Sequence, residues 1–444
     1  MHTRPTDTGR GSRTPRRPSP LCGLGLGLLL MTALPAAADT VATPKETFSV
    51  DYVVTVTNRH SAVATVRWEL VGIDEIRELR LHYDPKRLDH FEGSGRLEPI
   101  DGGLRWIPAG PYAHLTYHAH IDHVRGQHQR YDSYADGNWI VTRARDLFPR
   151  VAISCETREG ERPSSRARLI FRLPPGWQSA AALPALGKGT YQLREPGRLL
   201  DRPHGWFALG KLRLDHREIA GMMIQVARAP GSALSPPDLF RLLETTLPDL
   251  SKLLHAQPAT VLVVSAPDPM WHGGISGENS FYIHGKRPLR TADKTSPYLH
   301  ELFHVLQPYK PAADADWIEE GLAEYYSLEL QRRSGLVDPA AYARALGYFQ
   351  RFGKWNVNLT QQQDNAATNN SAPLIMYALD QHIQHATAGK KRLDDVVGRL
   401  AQDGGEVDTA RFMQVVKQVS GKPLTKFFDR HVVHGIPFSH HVTD

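Results

Sequence analysis

Cysteine is almost absent from the sequence, which contains two in 444 residues. Cys22 lies in an N-terminal segment that we expect to be removed, which leaves Cys155 alone in the mature chain. A single cysteine cannot form an intrachain disulfide, so a disulfide-based scaffold is excluded. Because Cys155 follows the apolar residues 151–153, we predict a half-buried strand position for it rather than a catalytic thiol.

Long apolar runs are also scarce. The run from Leu21 to Leu34 has 14 residues, fewer than the roughly 20 that a membrane-spanning helix needs. It follows five arginines and precedes Ala36-Ala37-Ala38, an arrangement typical of a cleavable signal peptide. We therefore predict a signal peptide over residues 1–38, an exported (periplasmic or secreted) protein and no stable membrane insertion. An uncleaved anchor is the less favoured alternative.

A large excess of charge of one sign is missing as well. The full chain carries a formal net charge of +6, but five Arg and one Asp lie in residues 1–38, so the mature chain carries +2. This small balance gives no support for a nucleic-acid-binding surface, and we predict none.

Length and periodicity predict two domains. Apolar residues alternate with polar ones from Phe48 to Val56, which is the period of a half-buried strand, and crossover helices are not evident. The character of the sequence changes at 229–231, after which helical spacing dominates. The predicted fold class is multidomain α+β, with an antiparallel β-sandwich-like domain over 39–230 and a mainly helical domain over 231–444.

A motif with metal-ligand spacing, His-Glu-Leu-Phe-His, occupies residues 300–304. Ser296 can cap a helix that has Pro297 at its first position, so we predict a helix here. The spacing places His300 and His304 one turn apart on one face, where both can bind one metal ion. Glu301 then lies beside the first ligand, where it can take a proton from water.

Two carboxylates downstream complete this pattern, which alone is only suggestive in a chain with 22 His. Glu320 and Glu324 are four residues apart and share one face of a second predicted helix. A catalytic zinc ion takes three protein ligands and keeps one position open. One carboxylate can be the third ligand while the other accepts the spare N–H of a ligand histidine. We interpret Glu319 as part of a solvated acidic face.

Together these residues resemble the gluzincins, the thermolysin-like zinc peptidases. The similarity lies in His300-Glu301-x-x-His304 followed by Trp317-x-x-Glu320-Gly321. The resemblance implies one zinc ion bound by His300, His304 and Glu320, with Glu324 as hydrogen-bond partner of a ligand histidine. It also implies that the helical domain is a thermolysin-like catalytic domain.

A glycine-rich segment upstream, Gly273-Gly274-Ile275-Ser276-Gly277-Glu278-Asn279, resembles two peptidase signatures. These are the Gly-x-Met-Glu-Asn of zinc aminopeptidases, whose Glu pairs with the substrate amine, and the Gly-Gly-Leu-Glu-His of the glycyl aminopeptidase family. The resemblance implies that Gly274, Glu278 and Asn279 contact the substrate. We predict that Phe281 to His284 form an edge strand onto which an extended substrate could add. The alternative is a hairpin turn with an exposed Glu278.

Similarity to the glycyl aminopeptidase family extends along roughly 380 residues, although it is diffuse outside the zinc motifs. Matching segments include 116–120 and 136–138 in the N-terminal part, and 392–397 and 424–430 in the helical part. Two departures stand out. The PDZ-type domain that the family often carries is not expected here, and Asn369 stands where the family has a Tyr that stabilises the oxyanion. An Asn amide can donate a hydrogen bond but cannot act as a general acid.

The sequence thus predicts an exported zinc peptidase, with an aminopeptidase favoured over an endopeptidase. The alternative is a zinc-binding pseudo-peptidase, a peptide-binding or assembly factor that has lost turnover. A third possibility, an adhesion protein with an accidental motif, predicts no bound metal.

Overall fold

The computed structural model describes residues 46–57, 62–126, 129–155, 164–195, 198–361 and 367–438. All of them belong to one compact unit, Pro44–Asp444. The predicted signal peptide lies outside the described residues. Within them, no helix combines the length and apolar character needed to cross a membrane.

The N-terminal part of the described chain consists mainly of strands. Several of them alternate between buried and half-buried positions as predicted, most clearly β2. In chain order they are β1 Glu46–Thr55, β2 Val63–Val71, β3 Ile76–His82, β4 Leu88–Gly93, β5 Arg96–Ile100, β6 Gly103–Ile107, β7 Tyr112–His120, β8 His123–Arg125, β9 Arg130–Ala135, β10 Trp139–Arg143, then the short helix α1 Ala144–Leu147, β11 Arg150–Cys155, β12 Ser164–Arg172, β13 Gln178–Ala181, β14 Ala185–Gly187, β15 Thr190–Leu193 and β16 Trp206–Gly210.

These strands form three sheets, in the orders β14-β15-β12-β1-β2-β7-β4, β13-β16-β10-β9-β8 and β11-β3-β6-β5. Their pairing is antiparallel, as expected, except that β1 runs parallel to β12. The expectation of a purely antiparallel domain was therefore wrong at this pair, which joins strands far apart in the chain. Cys155 ends β11 at a half-buried position, and burial raises the pKa of its thiol, which disfavours the reactive thiolate.

A further sheet connects the strand-rich part to the helical part. Its strands are β17 Arg213–Ile219, β18 Met222–Arg228, β19 Thr260–Ala266, β20 Gly274–Gly277 and β21 Ser280–His284, in the order β17-β18-β19-β21-β20. The strand β21 lies between β19 and β20, so the expectation that residues 281–284 form an edge was wrong. The edge is β20, built from the glycine-rich segment itself.

The rest of the described chain is mainly helical, as predicted. Ser235 and Pro236 begin the first long helix, and the two residues match the predicted start. The helices are α2 Pro236–Leu254, α3 Pro297–Leu306, α4 Asp316–Arg333, α5 Pro339–Phe352, α6 Ala372–Ala386, α7 Leu393–Asp403, α8 Thr409–Ser420 and α9 Thr425–Phe428, with π-helical turns at Ala367–Ser371 and Asp429–Val433 and the short strand pair β22 Tyr309–Pro311 and β23 Gly405–Val407. Their apolar faces share one core with the inner strands of the preceding sheet.

Candidate metal centre

The helix α3 presents two histidines to one point. Its N-terminus is fixed by Pro297 and by the Ser296 hydroxyl, which accepts a hydrogen bond from the Leu299 N–H. His300 and His304 follow on one face, with their Nε2 atoms 3.1 Å apart. Both side chains are largely buried, at 12% and 9% exposure, so the two nitrogens face each other in a weakly solvated setting.

The helix α4 brings a carboxylate to the same point. The Glu320 oxygens lie 3.3 Å from His300 Nε2 and 3.5 Å from His304 Nε2. Gly321 lets α4 approach α6 closely, since a Cβ there would lie 2.8 Å from the Ala372 Cβ. Donor atoms on a tetrahedral zinc ion with bonds of 2.0–2.1 Å are separated by about 3.3 Å. The spacing of these three side chains therefore fits zinc.

Two further carboxylates contact the outer nitrogens of the histidines. Glu324 Oε2 lies 2.8 Å from His300 Nδ1, in the place that the sequence implied. Glu319 Oε1 lies 3.5 Å from His304 Nδ1, and the Glu319 side chain is 24% exposed. The interpretation of Glu319 as a solvated face was therefore wrong, because the α4 register turns it towards His304.

The protonation of the cluster reflects competition between burial and hydrogen bonding. Burial lowers the pKa of His300, but hydrogen bonds to Glu320 and Glu324 outweigh it and raise that pKa well above its ordinary value. Burial raises the pKa of Glu320, but the hydrogen bond from His300 lowers it to about 2. Glu320 is therefore ionised at neutral pH, as a metal ligand must be.

Glu301 lies between the metal cluster and the edge strand β20. It is 8% exposed, and burial raises its pKa from the ordinary value, which brings a general base closer to neutral pH. A Cβ on Gly274 would lie 2.3 Å from Glu301 Oε1, so only glycine lets the strand pass this close to the carboxylate. The requirement for Gly274 is thus steric.

A pocket of about 560 Å³ surrounds the cluster. Asn369 lines it, and the Asn369 Oδ1 accepts the Thr368 hydroxyl, which leaves the amide N–H group to donate elsewhere. Tyr348 of α5 and Ser276 of β20 line the same pocket. The sequence analysis missed both, since no motif marks them and only the packing of α5 and β20 brings them here.

Glu278 and Asn279 are placed differently from the metal cluster. They form the turn between β20 and β21, where Asn279 has a φ of 51° and Gly277 pairs with Ser280. The Glu278 side chain is 53% exposed and lines a neighbouring cavity rather than the metal pocket. Counted from the paired glycines of Gly-Gly-Leu-Glu-His, the position of the family Glu falls on Ser276. The role of Glu278 in amine binding stays a prediction, with the geometry against it.

Comparison with solved structures identifies the fold. No protein-family model matches the chain, and no curated protein matches it. Among solved structures, an aminopeptidase N family protein from Idiomarina loihiensis has a TM-score of 0.68 at 16% identity, over 87% of this chain and 76% of its own. The M1 zinc metallopeptidase from Deinococcus radiodurans has a TM-score of 0.58 at 15% identity, over 89% and 96%.

A third similar structure, Legionella pneumophila aminopeptidase A in complex with aspartic acid, has a TM-score of 0.53 at 12% identity, over 87% of this chain and 49% of its own. The chain therefore has the fold of M1 zinc metallopeptidases, with a sheet-rich N-terminal region and a mainly helical C-terminal region. This confirms the predicted order of a sheet-rich region followed by a mainly helical region, whereas the sandwich-like and thermolysin-like descriptions stay predictions. The nearer resemblance to the glycyl aminopeptidase family stays a prediction.

Proposed function

We propose that this protein is a zinc-dependent peptidase. The observation that carries the proposal is the convergence of His300, His304 and Glu320 at donor separations of 3.1–3.5 Å, with the buried Glu301 beside them. An accidental motif gives no reason for a third donor from another helix at the spacing that zinc requires.

Each side chain then has a chemical task. When bound, zinc supplies a Lewis acid that polarises the scissile carbonyl and lowers the pKa of a water towards about 7. Glu301 takes the proton of the attacking water and returns it to the leaving amine. The amide of Asn369 donates a hydrogen bond to the developing oxyanion. The edge strand β20 binds the extended substrate through its backbone.

The finer parts of the proposal rest on resemblance. The solved structures with this fold include aminopeptidases, which favours cleavage at the N-terminus of a peptide. The zinc motifs favour a thermolysin-like catalytic domain. The strand periodicity of the preceding residues favours a sandwich-like N-terminal domain, and the change in sequence character favours a boundary at 229–231. The N-terminal segment favours export.

Glu301→Gln tests the proposal. The variant should keep one zinc ion, because Glu301 is a base and not a ligand, while turnover of a panel of aminoacyl and peptidyl reporters falls by roughly two to four orders of magnitude. Zinc content and kcat are measured on the same preparations, with Glu244→Gln on the exposed face of α2 as the control. If Glu301→Gln hydrolyses the reporters at the wild-type rate, Glu301 is not the general base.

The second candidate is a zinc-binding pseudo-peptidase, which the Asn at position 369 favours because an amide cannot act as a general acid. Wild-type protein that holds one zinc ion and cleaves no reporter would support it. Tyr348 lines the pocket and carries a phenol, the type of group that Asn369 lacks, which favours the peptidase.

A further inference from the structure

A second, larger cavity of about 1430 Å³ lies next to the metal pocket, between β20 and the N-terminal sheets. Arg125, Ile275 and Ser276 line both hollows, so the edge strand leads from one into the other. A peptide that extends along β20 from the metal cluster therefore enters this cavity. The proposed function gives the cavity no task.

The described residues that line the cavity include seven arginines and five carboxylates. Arg87 and Arg143 form an ion-pair network, with Arg87 Nη1 at 2.8 Å from Asp146 and Arg143 Nη2 at 2.7 Å from Asp132. Arg198 pairs with Glu195 at 2.9 Å. These pairs neutralise three of the cations.

Four arginines remain without a described carboxylate in ion-pair contact, namely Arg125, Arg145, Arg150 and Arg202. The Arg145 residue is exposed, and desolvation together with the neighbouring Arg143 guanidinium lowers the pKa of Arg145. The cavity is thus lined by more positive charge than its own carboxylates neutralise.

One buried group of the wall also has a donor to spare. Arg143 is 5% exposed, and its Nη1 has no hydrogen-bond partner among the described residues, although Nε and Nη2 are both bonded. A buried guanidinium N–H without a partner is costly. Guanidinium groups bind carboxylates in charge-assisted hydrogen bonds, so a wall that holds more arginines than carboxylates favours an anionic ligand.

We propose that this cavity is a substrate subsite that binds a carboxylate of the peptide, with Arg145 and Arg202 as specificity-determining residues. The inference rests on the proposed peptidase function. The carboxylate can come from an Asp or Glu side chain or from the terminal carboxyl group, since both present the same two oxygens.

The experiment uses the zinc-loaded full chain and a peptide series in which Glu replaces Gln at one position at a time. A second series compares a free C-terminal carboxylate with its amide. We expect kcat/KM to rise about tenfold for an acid at one position, the size of one charge-assisted hydrogen bond. Arg145→Gln and Arg202→Gln should reduce this ratio of acidic to neutral peptide, whereas Arg241→Gln, exposed on α2, should not.

The outcomes separate the two proposals. A gain with Glu alone identifies a side-chain carboxylate, and a gain with the free terminus alone identifies the terminal one. Equal kcat/KM for acidic and neutral peptides at every position, or a ratio unchanged in both arginine variants, overturns the subsite and leaves the peptidase standing. If wild type cleaves no peptide, the proposed function fails, and fluorescence anisotropy of the same labelled peptides then decides the subsite. Equal binding of acidic and neutral peptides overturns it.

Discussion

The two halves of α4 use buried carboxylates in different ways. In the first half, Glu320 faces His300 and His304. In the second half, Glu329 is 1% exposed and accepts hydrogen bonds from Arg332 and from two further arginines, at 2.6–3.1 Å. In both carboxylates burial raises the pKa, and hydrogen bonds lower it to about 2.

Glu320 and Glu329 have similar pKa values, but their partners differ in kind. Arginine is a permanent cation, so the Glu329 cluster is complete as it stands. Histidine is a cation only when protonated, and the two Nε2 atoms beside Glu320 face each other at 3.1 Å. A divalent cation bound by the two Nε2 atoms and Glu320 can take the place of the proton on a histidine. A perturbed pKa therefore marks a buried ion pair, and the identity of the partners decides whether it is a site.

The largest expected effect is on zinc binding, which should depend on the carboxylate in the first half of α4 and not on the one in the second half. Glu320→Ala should lose most of the bound zinc, because two histidines alone make a poor site. Glu329→Gln should keep zinc at wild-type stoichiometry. Metal analysis of purified protein checks both, and His300→Ala and His304→Ala should behave like Glu320→Ala. Full zinc in all three ligand variants would contradict the site.

The second prediction concerns stability, for which we expect the larger effect in the second half of α4. Glu329→Gln should lower the free energy of unfolding at pH 7 by roughly 3 kcal/mol, because it removes the buried carboxylate that three arginines contact. The pKa of Glu329 is depressed to about 2 in the folded state, so its contribution is present above pH 4.5 and is lost as the pH falls towards 2. Urea unfolding of wild type and variant at pH 7 and pH 3 should show the gap narrow. A constant gap would contradict the ion-pair interpretation.

A smaller effect is expected at Glu324, which contacts zinc only through His300. Glu324→Gln should weaken zinc affinity by about 10–100-fold, because the ring loses the carboxylate that orients it. Competition with a chelator measures the affinity. Glu324→Asp is the control for charge with altered reach. Affinity unchanged in Glu324→Gln would show that the helix alone orients the ring.

The smallest effect is expected at Glu278, a carboxylate outside both clusters. Glu278→Ala should change kcat/KM of neutral peptides by less than about twofold, since the side chain is 53% exposed and does not line the pocket of the metal cluster. Peptides with free and acetylated amines are compared for wild type and variant. A selective loss with free-amine peptides would restore the amine-binding role that the sequence implied.

The sequence predicted the features that are local. The cap at Ser296, the one-turn spacing of His300 and His304, and the start of α2 at Pro236 each depend on a few neighbouring residues, and the structure contains them. The convergence of Glu320 on the histidines came from the resemblance.

The features that failed depend on contacts distant in sequence. The edge position of β20, the parallel pairing of β1 with β12 and the contact of Glu319 with His304 are fixed by strand order and helix packing. The four cavity arginines without a described carboxylate in ion-pair contact come from separate parts of the chain, so no sequence pattern gathers them.

The short length of β20 limits how much of a peptide can pair with it. Its four residues, Gly274–Gly277, extend over roughly 13 Å at about 3.3 Å per residue. A peptide that pairs with this strand can have only about four residues in register, and every second side chain would point towards the sheet face near which Glu301 of α3 lies. Backbone pairing along such a short edge therefore depends little on the identity of most substrate side chains. It depends on how many substrate residues extend from the metal cluster.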